Sequence, residues 1–241
     1  MASNLDKIYL PEYKNSWALV IGINDYQHAP PLGYACNDAE AVADILQNRF
    51  EFPEDNVVLL LNEKASRQHI METFLQYAND HVLADDRLLV FFAGHGQTKT
   101  GRRGEVGYLV PFDGNPNELS TLIRWDELTR NADLIDAKHI LFIMDACYGG
   151  LAVMRTMRGG SKRFLKDMLQ RYARQVLTAG KADEVVADAG GPRVGHSMFT
   201  GHFLDALEGA SSSDGAILAN AVINTFANFR KKESGCVSYG F

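Results

Sequence analysis

The sequence lacks most of the features that announce a function at first sight. Only three cysteines occur in 241 residues, Cys36, Cys147 and Cys236, with no CxxC unit among them. That excludes a paired disulfide framework, argues against a structural zinc site and points to a reducing compartment. No run approaches the roughly 18 apolar residues that a membrane span requires. Met1 to Lys7 contain no apolar signal core, so a cytoplasmic protein with no membrane partner is expected. Positive charge is not in surplus: the net charge of −6 gives no reason to expect nucleic acid. Neither a GxSxG elbow nor a GxGxxG phosphate loop is present, which removes two common kinds of α/β enzyme. There is no internal repeat and no low-complexity tract.

What remains is the composition of an ordinary globular enzyme, 46% hydrophobic and 22% charged. Short, unbroken apolar runs alternate with helical periodicity. Trp17 to Ile23, Asn56 to Leu61, Leu88 to Phe92 and Ile140 to Met144 read as strands buried on both faces. Between them Ala35 to Phe50 and a segment capped by Ser66 keep helical spacing, with Asn37 or Asp38 the expected cap of the first. Trp125 to Ile135 is expected to be helical, as are a segment capped by Ser197 through Leu207 and Ile217 to Lys232. Tyr108 to Phe112 and Gln175 to Thr178 read as shorter strands, and the polar, basic stretch from Gln97 to Glu105 as an exposed loop. The alternation predicts an α/β fold: a mostly parallel sheet of about six strands with helices on both faces.

Two of the strands end alike. Leu88 to Phe92 runs into Ala93-Gly94-His95-Gly96, and Ile140 to Met144 into Asp145-Ala146-Cys147-Tyr148-Gly149-Gly150. Open α/β sheets keep their crevice at the carboxyl ends of the strands. Two central strands would therefore deliver His95 and Cys147, 52 positions apart, to one edge. A cysteine is nucleophilic as thiolate, and an adjacent imidazole can take its proton. The N–H groups of Gly96 and Cys147 could form an oxyanion hole, Gly96 because it has no side chain to obstruct a substrate carbonyl. By itself Cys147 could equally be a buried core residue; the pairing with His95 favours catalysis.

Several motifs together resemble the caspase-like cysteine peptidases (caspases, metacaspases and paracaspases), most of all the prokaryotic metacaspase-type members. They are WALVIGINDY, ACNDAEAVADIL, LLVFFAGHG, ILFIMDACYGG and HSMFTGHFLDALEG. The His-to-Cys interval also agrees with the interval of about 50 described for caspases. The resemblance implies a three-layer caspase-haemoglobinase fold, His95 as general base and Cys147 as nucleophile. It further implies one domain over 1–241, with a large-subunit-like part (1–150), a basic linker-like segment (151–174) and a small-subunit-like part (175–241). Caspases carry Gln two positions before the cysteine, where this chain has Asp145. Metacaspases usually show His-Ser-Gly after it, where this chain has Tyr148-Gly149-Gly150.

In metacaspase-like relatives the aspartates equivalent to Asp145 and Asp38 line the pocket that selects Arg or Lys. The resemblance therefore implies an endopeptidase cutting after basic residues, since a carboxylate pair attracts a guanidinium. Asp38 could also serve as a helix cap. Segment 151–174 holds seven of the 24 Lys and Arg residues against one acid, Asp167. Arg155, Arg158, Lys162 and Arg163 flank Gly159-Gly160 there, so self-cleavage and an uncut basic loop both stay open. Some metacaspases need calcium. The acids in the relevant region, Asp113, Asp126 and Glu127, lack the density of an oxygen-rich site, so no metal or other cofactor is expected, with calcium activation left open as a weakly supported alternative. Asp183 and Glu184 fall where relatives have a substrate-facing loop. Expected partners are protein or peptide substrates, with room for an activating or inhibitory protein. The alternatives are a caspase-like pseudoenzyme acting as a regulatory module, cleavage after Asp, and an unrelated α/β thiol hydrolase.

Overall fold

The computed structural model describes residues 13–102, 104–146, 173–179, 191–210 and 238–240. Its central sheet has six strands in the order β2-β1-β3-β7-β8-β9. They are β1 (Ser16–Gly22), β2 (Val57–Leu61), β3 (Arg87–Gly94), β7 (His139–Ala146), β8 (Ala173–Thr178) and β9 (Ser238–Gly240). Every pairing is parallel except β8 with β9, which is antiparallel. This is the mostly parallel sheet expected from the alternation of apolar runs and helices.

The reason β3 and β7 are unbroken apolar runs is visible in how they pack. Leu88, Val90 and Phe92 of β3 and Ile140, Phe142 and Met144 of β7 join one core cluster. The same cluster takes in Ile70 and Phe74 from α2 (Arg67–Gln76) and Trp125 and Leu128 from α3 (Trp125–Asn131). The alternate residues Leu89, Phe91 and Ile143 join the other cluster. There they meet Val42 and Leu46 from α1 (Ala35–Phe50), and Phe203 and Leu207 from α4 (Met198–Ala210). Side chains alternate across a strand, so a sheet covered on both faces needs apolar residues at every position. Each fully buried Phe or Leu contributes about 1.5–3 kcal/mol of hydrophobic stabilisation.

Three local expectations change. The segment from Gln97 to Glu105 is not a loop. It belongs to a second, antiparallel sheet made of β4 (Gly96–Gly101), β5 (Gly104–Leu109) and β6 (Ile123–Arg124), in that order. Thr98 and Thr100 of β4 pair with Gly107 and Glu105 of β5. A solvated hairpin has no apolar run to betray it; its strands exist because of each other. The strand expected over 108–112 is accordingly the end of β5, and Val110 to Phe112 continue beyond it. The first helix spans the expected residues, but neither Asn37 nor Asp38 caps it: Tyr34 holds the cap position, with no side-chain bond from it. A distant residue does the capping instead: Asn24 Oδ1 accepts from Cys36 N at 3.1 Å.

Other elements match closely. Ser66 caps α2 by accepting from His69 N. Ser197 caps α4 by accepting from Thr200 N at 3.0 Å. The helix expected over 125–135 is α3 followed by a 3₁₀ turn at Ala132–Leu134. The strand expected from Gln175 starts at Ala173. The helices expected over 217–232 and in the second half of 151–174 lie outside the described residues, apart from the two positions that open β8. Among the described residues no helix is long and apolar enough to cross a membrane.

Phe142 touches both helices of its face, with ring centroids 6.1 Å from Phe74 and 5.3 Å from Trp125. Phe142→Ala should lower unfolding free energy by about 3–5 kcal/mol. Urea denaturation should show the midpoint fall with the slope unchanged.

Candidate active site

The strand order reverses direction at β1: the chain steps outward to β2, then returns to β3, β7 and β8 on the other side. Ligand crevices of open α/β sheets lie at such a switch point, outside the carboxyl ends of the strands. Register brings those ends level, because Gly22 pairs with Ala93 and Gly94 pairs with Ala146. The residue after Gly94 is His95 and the residue after Ala146 is Cys147. Cys147 itself lies outside the described residues, as do Arg155, Arg158, Lys162, Arg163, Asp183 and Glu184.

His95 is held from two sides. Its backbone N–H donates to Tyr26 Oη at 2.7 Å, and its carbonyl accepts from Val110 N at 2.9 Å. The Tyr26 ring lies against the imidazole, with centroids 4.8 Å apart. Burial raises the Tyr26 hydroxyl well above its ordinary pKa, so it stays protonated. A side chain at position 94 could not coexist with this arrangement, because a Cβ on Gly94 would lie 2.6 Å from Tyr26 Oη. The imidazole Nε2 is 2.8 Å from the Pro30 carbonyl oxygen. A carbonyl only accepts, so Nε2 carries the proton and the neutral ring keeps its lone pair on Nδ1. Tyr26 and Pro30 both come from the loop after β1. Asn62 pins that loop, its Oδ1 accepting from the N–H groups of Asn24 and Asp25 at 2.9 and 3.1 Å.

Gly96 opens the hairpin. Gly96 faces Leu109 of β5 in the ladder, directly after the Val110 N to His95 O bond.

Asp38 and Asp145, 107 positions apart in sequence, converge on the start of α4. Asp145 Oδ2 accepts from Ser197 Oγ at 2.5 Å and from Thr200 Oγ1 at 2.6 Å. Asp38 accepts from the Ser197 N–H at 3.2 Å, and His196 Nδ1 lies 2.7 Å from its Oδ1. Both carboxylates are buried, with 1% and 6% of their surface exposed. A helix N-terminus favours negative charge, which lowers the cost of placing two acids there. Burial still pushes the Asp38 pKa up. It raises that of Asp145 to about 6, the charge of Asp38 adding to the effect while the hydroxyls of Ser197 and Thr200 oppose it. Among the described residues neither acid pairs with Lys or Arg; the one basic side chain in contact with them is the His196 imidazole, on Asp38.

The acids considered for calcium are engaged elsewhere. Asp113 accepts from Arg67 N at 2.7 Å, Glu127 pairs with the Arg67 guanidinium, and Asp126 pairs with Arg124 and Arg130. Among the described residues no group of three or more His, Cys, Asp or Glu could hold a metal ion. The sequence did not single out Tyr26, Pro30, His196 or Thr200. It marked Ser197 only as a helix cap. Ser-Met-Phe-Thr before an apolar helix is the one local signal that hydroxyls cluster here.

Asp145 makes stability depend on pH. Its folded pKa of about 6 lies above the unfolded value, so the folded state binds the extra proton and is favoured at low pH. As pH rises from below about 4 to above about 6, through the folded pKa, this group should cost about 3 kcal/mol of stability in all. Asp145→Asn should remove that slope, read as the pH dependence of the difference in urea unfolding free energy between the two proteins.

Comparison with known proteins agrees with this architecture. The family model described as the caspase domain matches residues 15–239. The chain is 28% identical over 145 residues to Metacaspase-6 of Arabidopsis thaliana, covering 55% of this chain and 38% of that protein. It is 25% identical over 169 residues to Metacaspase-1 of Eremothecium gossypii, covering 64% and 36%. The matches thus span less than two fifths of these curated relatives. Among solved structures, protein GSU0716 from Geobacter sulfurreducens superposes with a TM-score of 0.65 at 18% identity, covering 93% of this chain and 92% of that one. Caspase-1 from Spodoptera frugiperda superposes with a TM-score of 0.58 at 16% identity, covering 90% and 79%. These two likenesses concern the fold. The family match runs almost from end to end: the chain belongs to the caspase-domain family, a family of cysteine peptidases with metacaspases among its relatives.

Proposed function

We propose that this chain is a cysteine endopeptidase that cleaves after arginine or lysine. The observation that carries the reading is the buried pair Asp38 and Asp145, two acids at the crevice edge with no Lys or Arg of the described chain to neutralise them. Hydrogen bonds from Ser197, Thr200 and His196 offset part of the cost of burying the two carboxylates, and a cation supplied from outside would offset more. A guanidinium entering between them would replace lost hydration by charge-assisted, bidentate hydrogen bonds. An aspartate in that place would meet two like charges, which disfavours caspase-type specificity.

In this reading His95 Nδ1 takes the proton of the Cys147 thiol, and the thiolate adds to the carbonyl carbon of the scissile bond. The N–H groups of Gly96 and Cys147 receive the developing oxyanion. The tetrahedral species collapses with cleavage of the C–N bond, and the imidazolium protonates the leaving amine. Water, deprotonated by the same imidazole, then hydrolyses the thioester. Pro30 keeps Nε2 protonated throughout and so reserves Nδ1 for the transfer.

A fluorogenic panel differing only in the residue before the scissile bond tests this. Arg and Lys substrates should be cut. Cys147→Ala and His95→Ala should be inactive, and Asp145→Asn should lose about 100-fold or more in kcat/KM for the Arg substrate. Preference for Asp over Arg would sink the specificity; activity surviving in Cys147→Ala would sink the mechanism.

The basic segment 151–174 is proposed as a substrate of the same activity, at Arg155, Arg158, Lys162 or Arg163. On incubation wild type should yield fragments ending at one of these residues and Cys147→Ala none. Fragments in the mutant alone, or in neither protein, exclude self-processing.

A further inference from the structure

The Asp38–His196 contact joins residues 158 positions apart and is built by backbone as well as side chain. Asn37 Nδ2 donates to the Gly195 carbonyl at 3.2 Å, and the N–H of Ser197 donates to Asp38. The dipeptide Asn37-Asp38 therefore grips three successive residues, and His196 is the middle one. Gly195 has φ +81°, a conformation that any other residue would adopt only with strain. That turn sets the imidazole on the carboxylate. The His196 side chain is 19% exposed and that of Asp38 1%, so the imidazole reaches solvent where the acid behind it does not.

The charged groups on the flanking elements are few. Helix α1 contributes Asp38, and β7 contributes Asp145, linked through Ser197. Asp205 and Glu208 of α4 are both taken by Arg193, at 2.7 and 2.6 Å. Among the described residues His196, bonded to Asp38, is thus the one group able to carry positive charge that contacts either buried acid. Imidazole is also the side chain whose ordinary titration falls within the physiological pH range.

We propose that His196 is the resident occupant of the basic-residue pocket: as imidazolium it neutralises Asp38 and repels an incoming guanidinium, and as neutral imidazole it yields the carboxylate to substrate. The inference rests on the reading of Asp38 and Asp145 as that pocket, and adds a pH gate to it. A cationic His196 and a substrate arginine compete for one acid, so arginine recognition strengthens as pH rises. Asp145, with its pKa of about 6, contributes a change of the same sign. Only a comparison that leaves Asp145 in place isolates His196.

The test measures second-order inactivation of Cys147 by an arginyl chloromethyl ketone and by its norleucyl analogue, from pH 5.5 to 8. The ionisations of Cys147 and His95 affect both reagents and cancel in the ratio of the two rate constants. His196→Asn and His196→Gln retain an N–H donor but cannot be charged. Wild type should show a ratio that climbs steeply with pH. Both variants should show a shallower rise, about tenfold above wild type at the acid end and converging at pH 8. Coincident curves in wild type and variants overturn the gate while leaving basic specificity intact. A ratio near one at every pH in every protein overturns the specificity, and the gate with it. A measurement on otherwise native protein covers variants that misfold. In Cys147→Ala, a saturating arginyl peptide should lower the pH at which the His196 ring protons titrate, because their counter-ion is taken. A titration that the bound peptide leaves unmoved overturns the proposal.

Discussion

The in-register parallel pairing of β3 with β7 is the constraint on which the rest depends. It runs from Arg87 with His139 to Gly94 with Ala146. A parallel ladder has one direction and one phase, so it fixes which residues leave the sheet side by side. A slip of one residue would turn every side chain of a strand to the opposite face. Here that would exchange Phe142, packed on α2 and α3, with Ile143, packed on α1 and α4. Two different apolar clusters thus defend the register. The same register makes His95 and Cys147 successors of paired residues.

Around that edge the structure places groups that are individually costly and collectively satisfied. Asp145 ends an apolar strand inside the protein, and Asp38 lies in the first turn of a helix whose other inward residues are apolar. Both are answered by the beginning of α4, through two hydroxyls, one backbone N–H and one imidazole. Ser197 serves three groups at once: its N–H meets Asp38, its hydroxyl proton Asp145 and its hydroxyl oxygen the N–H of Thr200. Capping the helix and closing the crevice are therefore one event, and the acids tie α1, β7 and α4 together.

Some of this was legible in the chain and some was not. The apolar runs revealed β1, β3 and β7, because burial on both faces leaves a local trace. Ser66 and Ser197 announced their helices because a cap acts over three residues. The hairpin of β4 and β5 left no such trace: its threonines and lysine read as a loop until paired with Glu105 to Leu109. Asn24 capping α1, Tyr26 receiving the His95 N–H and His196 meeting Asp38 are contacts between segments, so no window of sequence contains both partners.

The sequence by itself determined the fold class, the family and the residue types at the strand ends, because these follow from periodicity and short motifs. It also supplied the two aspartates, Asp145 as a charge ending an apolar run and Asp38 through the resemblance to metacaspase-like relatives. Only the tertiary structure decided what those aspartates face. Hydrogen bonds to Ser197, Thr200 and His196 arise when α4 docks on the sheet, and the pKa of Asp145 follows from the burial that docking creates. The tautomer of His95 was likewise decided there, by a carbonyl 65 positions earlier that accepts from Nε2. Local patterns specify elements; desolvation and long-range hydrogen bonding specify the chemistry of the groups those elements bring together.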